Sequence, residues 1–188
     1  MNIFEYLENS ERVLAASRHH RGTAKAEEAI DAIVEALSAG KPMLVCGNGG
    51  SASDAMHIAG ELVGRFLKER KALNCVCLSS NPAVLTAWSN DYSYDTVFSR
   101  QTEAYGAPGG VILGISTSGN STNLVEAFRV AKDMGMVTIG MTGEGGGKMA
   151  ELTDILVDVP SRSTPMIQQV HICLYHYICE QVEARLAA

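Results

Sequence analysis

The feature that most constrains the fold is a repeated pattern: a short apolar run, then a turn rich in Gly and Ser, then a helical stretch. The apolar runs are Met43–Cys46, Cys75–Leu78, Val111–Ile115, Val137–Met141 and Ile155–Val157. They are continuous rather than alternating, which is typical of strands covered on both faces of a parallel sheet. The alternation with helices predicts a doubly wound, flavodoxin-like α/β domain with a five-stranded parallel sheet and right-handed crossovers.

Local signals place the helices between the strands. We predict helices over Ser53–Phe66, about Thr96–Tyr105 and Ser121–Met134, and a short one that begins at Asn81-Pro82. Asn81 is a good N-cap and Pro82 suits the first helical position, while Gly135 is a good C-cap for the helix before it.

Two helical regions lie outside this alternation. We expect a single domain over 1–188, with an N-terminal helical arm over about 1–40, a sheet core over about 41–160 and a C-terminal helix over about 164–187. The C-terminal helix is apolar nearly all round, from Ile167 to Val182, so we expect more than one of its sides to be buried. In a chain of this size, that indicates a contact between subunits.

Charge and composition exclude several classes of protein. The net charge is −6, which gives no basic face for nucleic acid. No apolar run approaches the ~20 residues that span a bilayer, and Met1–Glu5 lacks the start of a signal peptide, so we expect a cytoplasmic protein. The five cysteines include no C-x-x-C pair and lie in apolar segments, which predicts buried, reduced thiols.

Two loops directly follow strands and open helices. They are Gly47–Ser53 after the first strand and Ser116–Ser121 after the third. Glycines allow close backbone approach, and hydroxyls with the free N–H groups of a helix start favour an anion. The second loop suits a terminal phosphate and the first suits a sugar chain. Neither matches the P-loop or dinucleotide pattern, and the alternative is that both loops only make turns.

Polar residues on two helices form further candidate sites. His57, Glu61 and Arg65 follow the first loop at spacings of four and share one helix face. Gln168 and His176 share a face of the apolar C-terminal helix. An isolated His57 and Glu61 would more often be a solvated pair, but their position one helical turn after the first loop favours a functional site. From spacing alone, Gln168 and His176 are more often ordinary hydrogen-bonded core residues.

Together these segments resemble the sugar isomerase (SIS) domain family, and within it the phosphoheptose isomerases. The resemblance covers nearly the whole chain. The matching stretches include Cys46–Ser51, Asp54–His57, Glu61-Leu62, Gly64-Arg65, Asn90-Asp91, Phe98–Arg100, Gly114–Ser121, Thr142-Gly143, Gly146–Ala150 and Ile167-Gln168, with His171 and His176. The first loop together with His57, Glu61, Gln168 and His176 is the most specific part of the match.

The resemblance implies a zinc-dependent homotetramer with active sites at subunit interfaces. One zinc per subunit would be held by His57, Glu61, Gln168 and His176. The implied substrate contacts are Asn48, Gly49, Gly50, Ser51, Glu61, Arg65, Asn90, Asp91, Ser116, Thr117, Ser118, Ser121 and Gln168. The partner expected on this basis is a phosphosugar, with no nucleic acid and no membrane.

The implied reaction is an aldose–ketose isomerisation of sedoheptulose 7-phosphate to D-glycero-D-manno-heptose 7-phosphate, the entry to heptose for lipopolysaccharide. An enediol forms when a base removes the proton beside the carbonyl and an acid protonates the oxygen. We expect Glu61 to be the base and His176 its acid/base partner. A carboxylate tightly bound to zinc is a poorer base, so Glu61 either ligates loosely or changes partner.

The chain departs from the family pattern at two places. Gln169 stands where many members have Glu, and Pro165-Met166 offers no polar group where some relatives have one. Two alternative functions follow from the fold. One is a non-enzymatic SIS tetramer that binds a replication-initiator protein, a type that tends to lose the equivalents of Glu61 and His176. The other is isomerisation of a different phosphosugar.

Overall fold

The structure, a computed structural model, describes residues 1–187. Its centre is a five-stranded, all-parallel sheet made of β1 (Met43–Gly47), β2 (Cys75–Cys77), β3 (Val111–Ser116), β4 (Val137–Thr142) and β5 (Ile155–Asp158). The strand order is β2-β1-β3-β4-β5, which is the flavodoxin-like order. The predicted fold class is therefore confirmed.

Helices cover both faces of the sheet. The helices are α1 (Ile3–Ser17), α2 (Arg21–Ala24), α3 (Ala26–Ser38), α4 (Gly50–Val63), α5 (Pro82–Asp91), α6 (Val97–Tyr105), α7 (Thr122–Asp133) and α8 (Thr164–Leu186), with 3-10 turns at Tyr94–Thr96 and Gly147–Leu152. Helices α3, α4 and α8 pack on one face of the sheet, with Ile30, Ile58 and Ile178 in that core. Helices α6 and α7 pack on the other face, around Phe98 and Phe128.

The strand order reverses direction between β1 and β3, and this position locates the site. In such sheets a ligand binds beyond the carboxyl ends of the strands, at the point where the order reverses. The two predicted loops leave β1 and β3 at that point and lead directly into α4 and α7. Asn81 accepts hydrogen bonds from the N–H groups of Ala83 and Val84, which confirms its predicted role as the N-cap of α5.

Helices α4 and α8 run side by side in the same direction. Gly50 lies against Gln168, His57 against Tyr175, and the segment after α4 against Glu183. Residues at the start of α4 therefore face the start of α8, and residues at its end face the end of α8. Among residues 1–187, no helix is both long enough and apolar enough to cross a membrane.

Two local predictions are wrong. Helix α4 ends at Val63, not Phe66, because the backbone N–H groups of Phe66, Leu67 and Lys68 bind the Glu183 carboxylate instead of continuing the helix. Arg65 consequently lies beyond the helix. Cys173 is exposed, because it points away from the core on α8, whereas the other four cysteines are buried; all five are free thiols.

Candidate functional site

A polar cavity of about 230 Å³ opens at the carboxyl ends of β1 and β3. Its walls are the two Gly/Ser-rich loops and the first turns of α8. The lining residues are Asn48, Gly50, Ser51, Ile115, Ser116, Thr117, Ser118, Ser121, Thr164 and Gln168. Sequence patterns predicted all of these except Ile115 and Thr164 as part of the site, and the structure brings them together.

The loop after β3 is held by contacts within itself and with one neighbouring turn. The hydroxyls of Ser116 and Ser121 are 3.0 Å apart, and the hydroxyl of Ser118 accepts a hydrogen bond of 3.2 Å from the N–H of Asn120. Gly119 has φ +65°, and a Cβ there would lie 2.0 Å from the carbonyl oxygen of Gly146. The loop ends at the N-terminus of the 12-residue helix α7, where backbone N–H groups and the helix dipole favour an anion.

The loop after β1 presents Asn48 in a fixed orientation. Asn48 and Asn123 exchange two hydrogen bonds between their amides, at 2.9 and 3.0 Å, and the hydroxyl of Tyr94 donates to Oδ1 of Asn48 at 2.7 Å. Both acceptor positions on Oδ1 are thus occupied, and one N–H of Asn48 remains free to donate to a ligand. Sequence patterns missed Asn123 and Tyr94, because neither belongs to a loop motif.

A cluster of His57, Glu61 and His176 lies beside the cavity, where α4 faces α8. Nε2 of His57 is 2.9 Å from Oε1 of Glu61, and Nδ1 of the same ring is 2.9 Å from the hydroxyl of Tyr175. The ring of His176 lies 4.9 Å from that of His57, edge to face, and is stacked on Phe66 at 5.8 Å. The side chain of His57 is 44% exposed and that of Glu61 is 18% exposed, so the cluster is open to a ligand.

These three side chains form a suitable donor set for a metal ion. One ligand atom from each of His57, Glu61 and His176 lies within 4.8 Å of the other two. Imidazole nitrogens and a carboxylate oxygen are ligands that zinc uses in catalytic sites. The residues therefore fit zinc, and the predicted metal site is supported at these three positions.

The remaining predicted residues lie at different distances from this cluster. Gln168 lies against Gly50 in the cavity, about 12 Å along α8 from His176, given a rise of about 1.5 Å per residue. Arg65 is exposed and pairs with Glu69 at 3.2 Å. Asn90 and Asp91 are exposed at the end of α5, with the amide of Asn90 donating to Asp91 at 2.9 Å. The metal role of Gln168 and the substrate contacts of Arg65, Asn90 and Asp91 stay predictions.

A buried ion pair lies next to the cluster and contacts the backbone of Glu61. Glu183 and Arg70 are 1% and 2% exposed, and Arg70 also donates to the backbone carbonyl of Glu61 at 2.7 Å. Burial by itself raises the pKa of Glu183, but hydrogen bonds from the N–H groups of residues 66–68 and the charge of Arg70 bring it below the ordinary value. Sequence patterns missed this pair, since nothing links two charges 113 positions apart before the fold is known.

Three more titratable groups on α4 and α8 have shifted pKa values. Burial raises the pKa of Asp54, which lies one turn before His57, although His57 partly offsets this. Burial, with a contribution from Asp54, raises the pKa of Tyr175 to about 12. Burial lowers the pKa of His171 to about 4, so this imidazole is neutral near pH 7, and its Nε2 donates to the carbonyl of Thr142 at 3.1 Å.

Comparison with known proteins identifies the class to which this fold and site belong. The SIS domain family matches residues 5–143. Two solved structures superpose on nearly the whole chain: a phosphoheptose isomerase of Neisseria gonorrhoeae (TM-score 0.91, 37% identity, 97% of both chains) and one of Francisella tularensis (TM-score 0.92, 32% identity, 97% of this chain and 96% of that one).

Proteins with similar sequences show which family within this class the chain belongs to. The phosphoheptose isomerase of Crocosphaera subtropica is 53% identical over 162 residues, which is 86% of this chain and 83% of that protein. The phosphoheptose isomerase of a Synechocystis strain is 48% identical over 184 residues, which is 98% of this chain and 95% of that protein. The chain belongs to the phosphoheptose isomerase family of SIS-domain proteins.

Proposed function

We propose that this protein is an isomerase that converts D-sedoheptulose 7-phosphate to D-glycero-D-manno-heptose 7-phosphate, the entry to heptose for lipopolysaccharide. The observation that carries the proposal is the cluster of His57, Glu61 and His176 beside a polar cavity at a helix N-terminus. The cavity suits the phosphate and the cluster suits proton transfer. Membership of the phosphoheptose isomerase family selects the sugar.

The substrate is anchored at its phosphate end. The N-terminus of α7 and the hydroxyls of Ser116, Ser118 and Ser121 surround the phosphate with donors. From Gly50 at the cavity to His57 in the cluster, α4 rises about 10 Å, which an extended seven-carbon sugar can span. The free N–H of Asn48 donates to an oxygen along the sugar chain.

The chemistry takes place at the other end of the sugar. Glu61 releases Nε2 of His57 and takes a proton from C1 of the ketose, which gives a 1,2-enediol. His176 moves a proton between the two oxygens, and Glu61 returns its proton to C2, which leaves the aldehyde at C1. Zinc, held by His57, Glu61 and His176 with Gln168 as the proposed fourth ligand, would stabilise negative charge on the substrate oxygens.

The working form is proposed to be a homotetramer with active sites at subunit interfaces. Helix α1 exposes Ile3, Phe4 and Leu7, and α8 exposes Ile172 and Tyr177 at 40% and 41%. Apolar side chains at this density on two adjacent helices are typical of surfaces buried between subunits. Light scattering at micromolar concentration should give a tetrameric mass, and a monomeric mass would contradict the assembly.

An assay with sedoheptulose 7-phosphate tests the proposed activity. The wild type, Glu61→Gln and His176→Gln are compared, with metal content measured by mass spectrometry. We expect kcat to fall about 10²- to 10⁴-fold in each variant, with KM changed little, because the phosphate contacts remain intact. The matched control is Glu151→Gln, which removes an exposed carboxylate and should leave kcat unchanged.

Two outcomes would point to the alternative functions. A wild type that binds the phosphosugar but does not turn it over would favour a non-enzymatic SIS protein. Turnover of another phosphosugar with a higher kcat/KM would favour a different isomerase. The presence of both Glu61 and His176 in one cluster argues against the non-enzymatic alternative.

A further inference from the structure

Tyr175 has no role assigned by the chemistry described so far, yet it touches the centre of the cluster. Its side chain is 2% exposed and packs in the core beneath α3 and α4. Its hydroxyl lies 2.9 Å from Nδ1 of His57, and the two rings meet edge to face at 5.3 Å. Since the ring of Tyr175 is fixed in the core, its hydroxyl is a hydrogen-bonding partner in a fixed position for the imidazole of His57.

This contact decides which ring nitrogen of His57 faces the site. With Nδ1 occupied by Tyr175, Nε2 is the nitrogen directed at Glu61, at 2.9 Å. For Nε2 to offer its lone pair to a metal ion, Nδ1 must carry the hydrogen and donate it to an acceptor. The hydroxyl oxygen of Tyr175 is an acceptor at the required position.

We propose that Tyr175 is a positioning residue that fixes the ring of His57 with Nε2 facing the site, and that its hydroxyl accepts the hydrogen of Nδ1 when Nε2 binds a metal ion. The part of this that concerns metal binding and turnover rests on the proposed function. In the metal-free protein the Glu61 carboxylate accepts from Nε2–H, so Nδ1 accepts from the hydroxyl of Tyr175, which can serve as donor or acceptor. A side chain that merely fills space would not influence the metal affinity through its hydroxyl.

Tyr175→Phe removes the hydroxyl and keeps the ring. Tyr177→Phe on the same helix is the matched control, because it also loses a hydrogen-bonded hydroxyl, which donates to Glu27 at 2.6 Å outside the cluster. Thermal unfolding checks that both variants fold. ¹⁵N NMR reports the tautomer of His57 and the exchange of its ring N–H proton with and without zinc, and competition with a chromogenic chelator gives the zinc affinity.

We expect wild type and Tyr177→Phe to change from the Nε2–H tautomer of His57 without metal to the Nδ1–H tautomer when zinc is added, with slow solvent exchange of the Nδ1 proton. In Tyr175→Phe that proton should exchange faster, because it has lost its acceptor. Zinc affinity should fall about 10-fold or more in Tyr175→Phe, as is usual when the partner of a metal-bound histidine is removed. Its kcat should drop at limiting zinc and recover at saturating zinc, with KM unchanged. Glu61→Gln should not recover, since it lacks the base.

The outcomes separate this inference from the proposed function. Wild-type exchange of the Nδ1 proton and wild-type zinc affinity in Tyr175→Phe would overturn the positioning role, whether or not the protein is an isomerase. An inactive wild type in which Tyr175→Phe still lowers the zinc affinity would sink the proposed function and leave the positioning role standing. The spectrum of the zinc-bound wild type is a test that needs no variant to fold: an Nε2–H tautomer of His57 with zinc bound would also overturn the inference.

Discussion

The phosphate cavity and the histidine cluster lie next to each other but are built in different ways. The loop after β3 is one short segment with hydrogen bonds between residues two to five positions apart, such as Ser118 with Asn120 and Ser116 with Ser121. A neighbouring turn adds to these, since the N–H of Met149 donates to the carbonyl of Gly119 at 2.9 Å. The cluster joins side chains on two helices, with His57 and Tyr175 118 positions apart. One end of the site therefore takes its donors from one short segment, and the other brings its side chains together only once α4 and α8 have packed.

The difference follows from what each end has to do. A phosphate can be held by N–H groups and hydroxyls that do not change protonation, and a strand–loop–helix unit supplies these from one short segment. Isomerisation needs groups that exchange protons, and these must be brought together with the correct orientation. Buried neighbours such as Tyr175 and Glu183 supply that orientation from distant parts of the chain.

The largest loss of stability is expected when the buried ion pair behind the histidine cluster is broken. Glu183→Gln keeps the size of the side chain but leaves the Arg70 charge buried without its partner. We expect a loss of about 3 to 5 kcal/mol in the free energy of unfolding, measured with urea. Hydrogen exchange should quicken at residues 66–68, whose N–H groups lose their carboxylate, while the loop after β3 keeps its protection.

The same variant tests how the stability of the protein depends on pH. The pKa of Glu183 is lowered in the fold, so its carboxylate stabilises the protein above the ordinary carboxyl pKa of about 4.3, and this contribution is lost as the pH falls. Glu183→Gln should lack that part of the acid dependence. Glu180→Gln, an exposed change on the same helix, is the control. Equal stability of the two variants would show that the buried pair does not stabilise the fold.

A second, smaller effect is expected at the phosphate end. Gly119→Ala places a methyl group 2.0 Å from the carbonyl oxygen of Gly146 and forces φ +65° on a residue with a Cβ. Left-handed backbone costs about 1–2 kcal/mol and overpacking about 1–3 kcal/mol, so we expect a loss of about 3 kcal/mol and a higher KM.

Gly145→Ala is the matched control for Gly119→Ala. Gly145 also has a positive φ, +80°, but a Cβ there meets no atom within 4 Å among residues 1–187. This variant should show the backbone cost alone, about 1–2 kcal/mol, with KM unchanged. If both variants raised KM equally, the tight contact between the loops would not be what shapes the phosphate cavity.

The smallest effect is expected from His171, a buried histidine that is hydrogen-bonded to the strand beside the phosphate loop. His171 donates to the carbonyl of Thr142, which pairs with Ser116 in the sheet. Because its pKa is lowered to about 4 in the fold, the unfolded chain takes up the proton first as the pH falls below about 6.5. Stability is thus complete above that pH and declines toward pH 4.

The size of this effect follows from proton linkage. From pH 7 to pH 5 the wild type should lose about 2 kcal/mol more than His171→Leu, measured by urea unfolding at each pH. The variant should be tolerated at neutral pH, since the Thr142 carbonyl keeps its bond from the N–H of Val159 at 3.0 Å. Identical pH profiles would mean that the fold does not lower the pKa of His171.

The fold could be predicted largely from sequence because each strand and loop carries a local signal. Five continuous apolar runs gave the parallel sheet, and glycines, serines and caps marked the loops and helix ends. The end of α4 could not be predicted, since the N–H groups after Val63 are bound by Glu183 from the far end of the chain. The exposure of Cys173 was missed because a single helix does not reveal which of its apolar sides faces the core.

The sequence by itself determined the strands and the hydroxyl-rich loop at a helix start, because each is marked by residues that are near neighbours along the chain. Only the tertiary structure decided that His57, Glu61 and His176 meet, that Tyr175 sets the orientation of one imidazole, and that Asn123 fixes the amide of Asn48. The physical reason is that these contacts join parts of the chain whose distance is set only when helices pack against the sheet. Side-chain types can indicate that chemistry, but packing places the atoms that perform it.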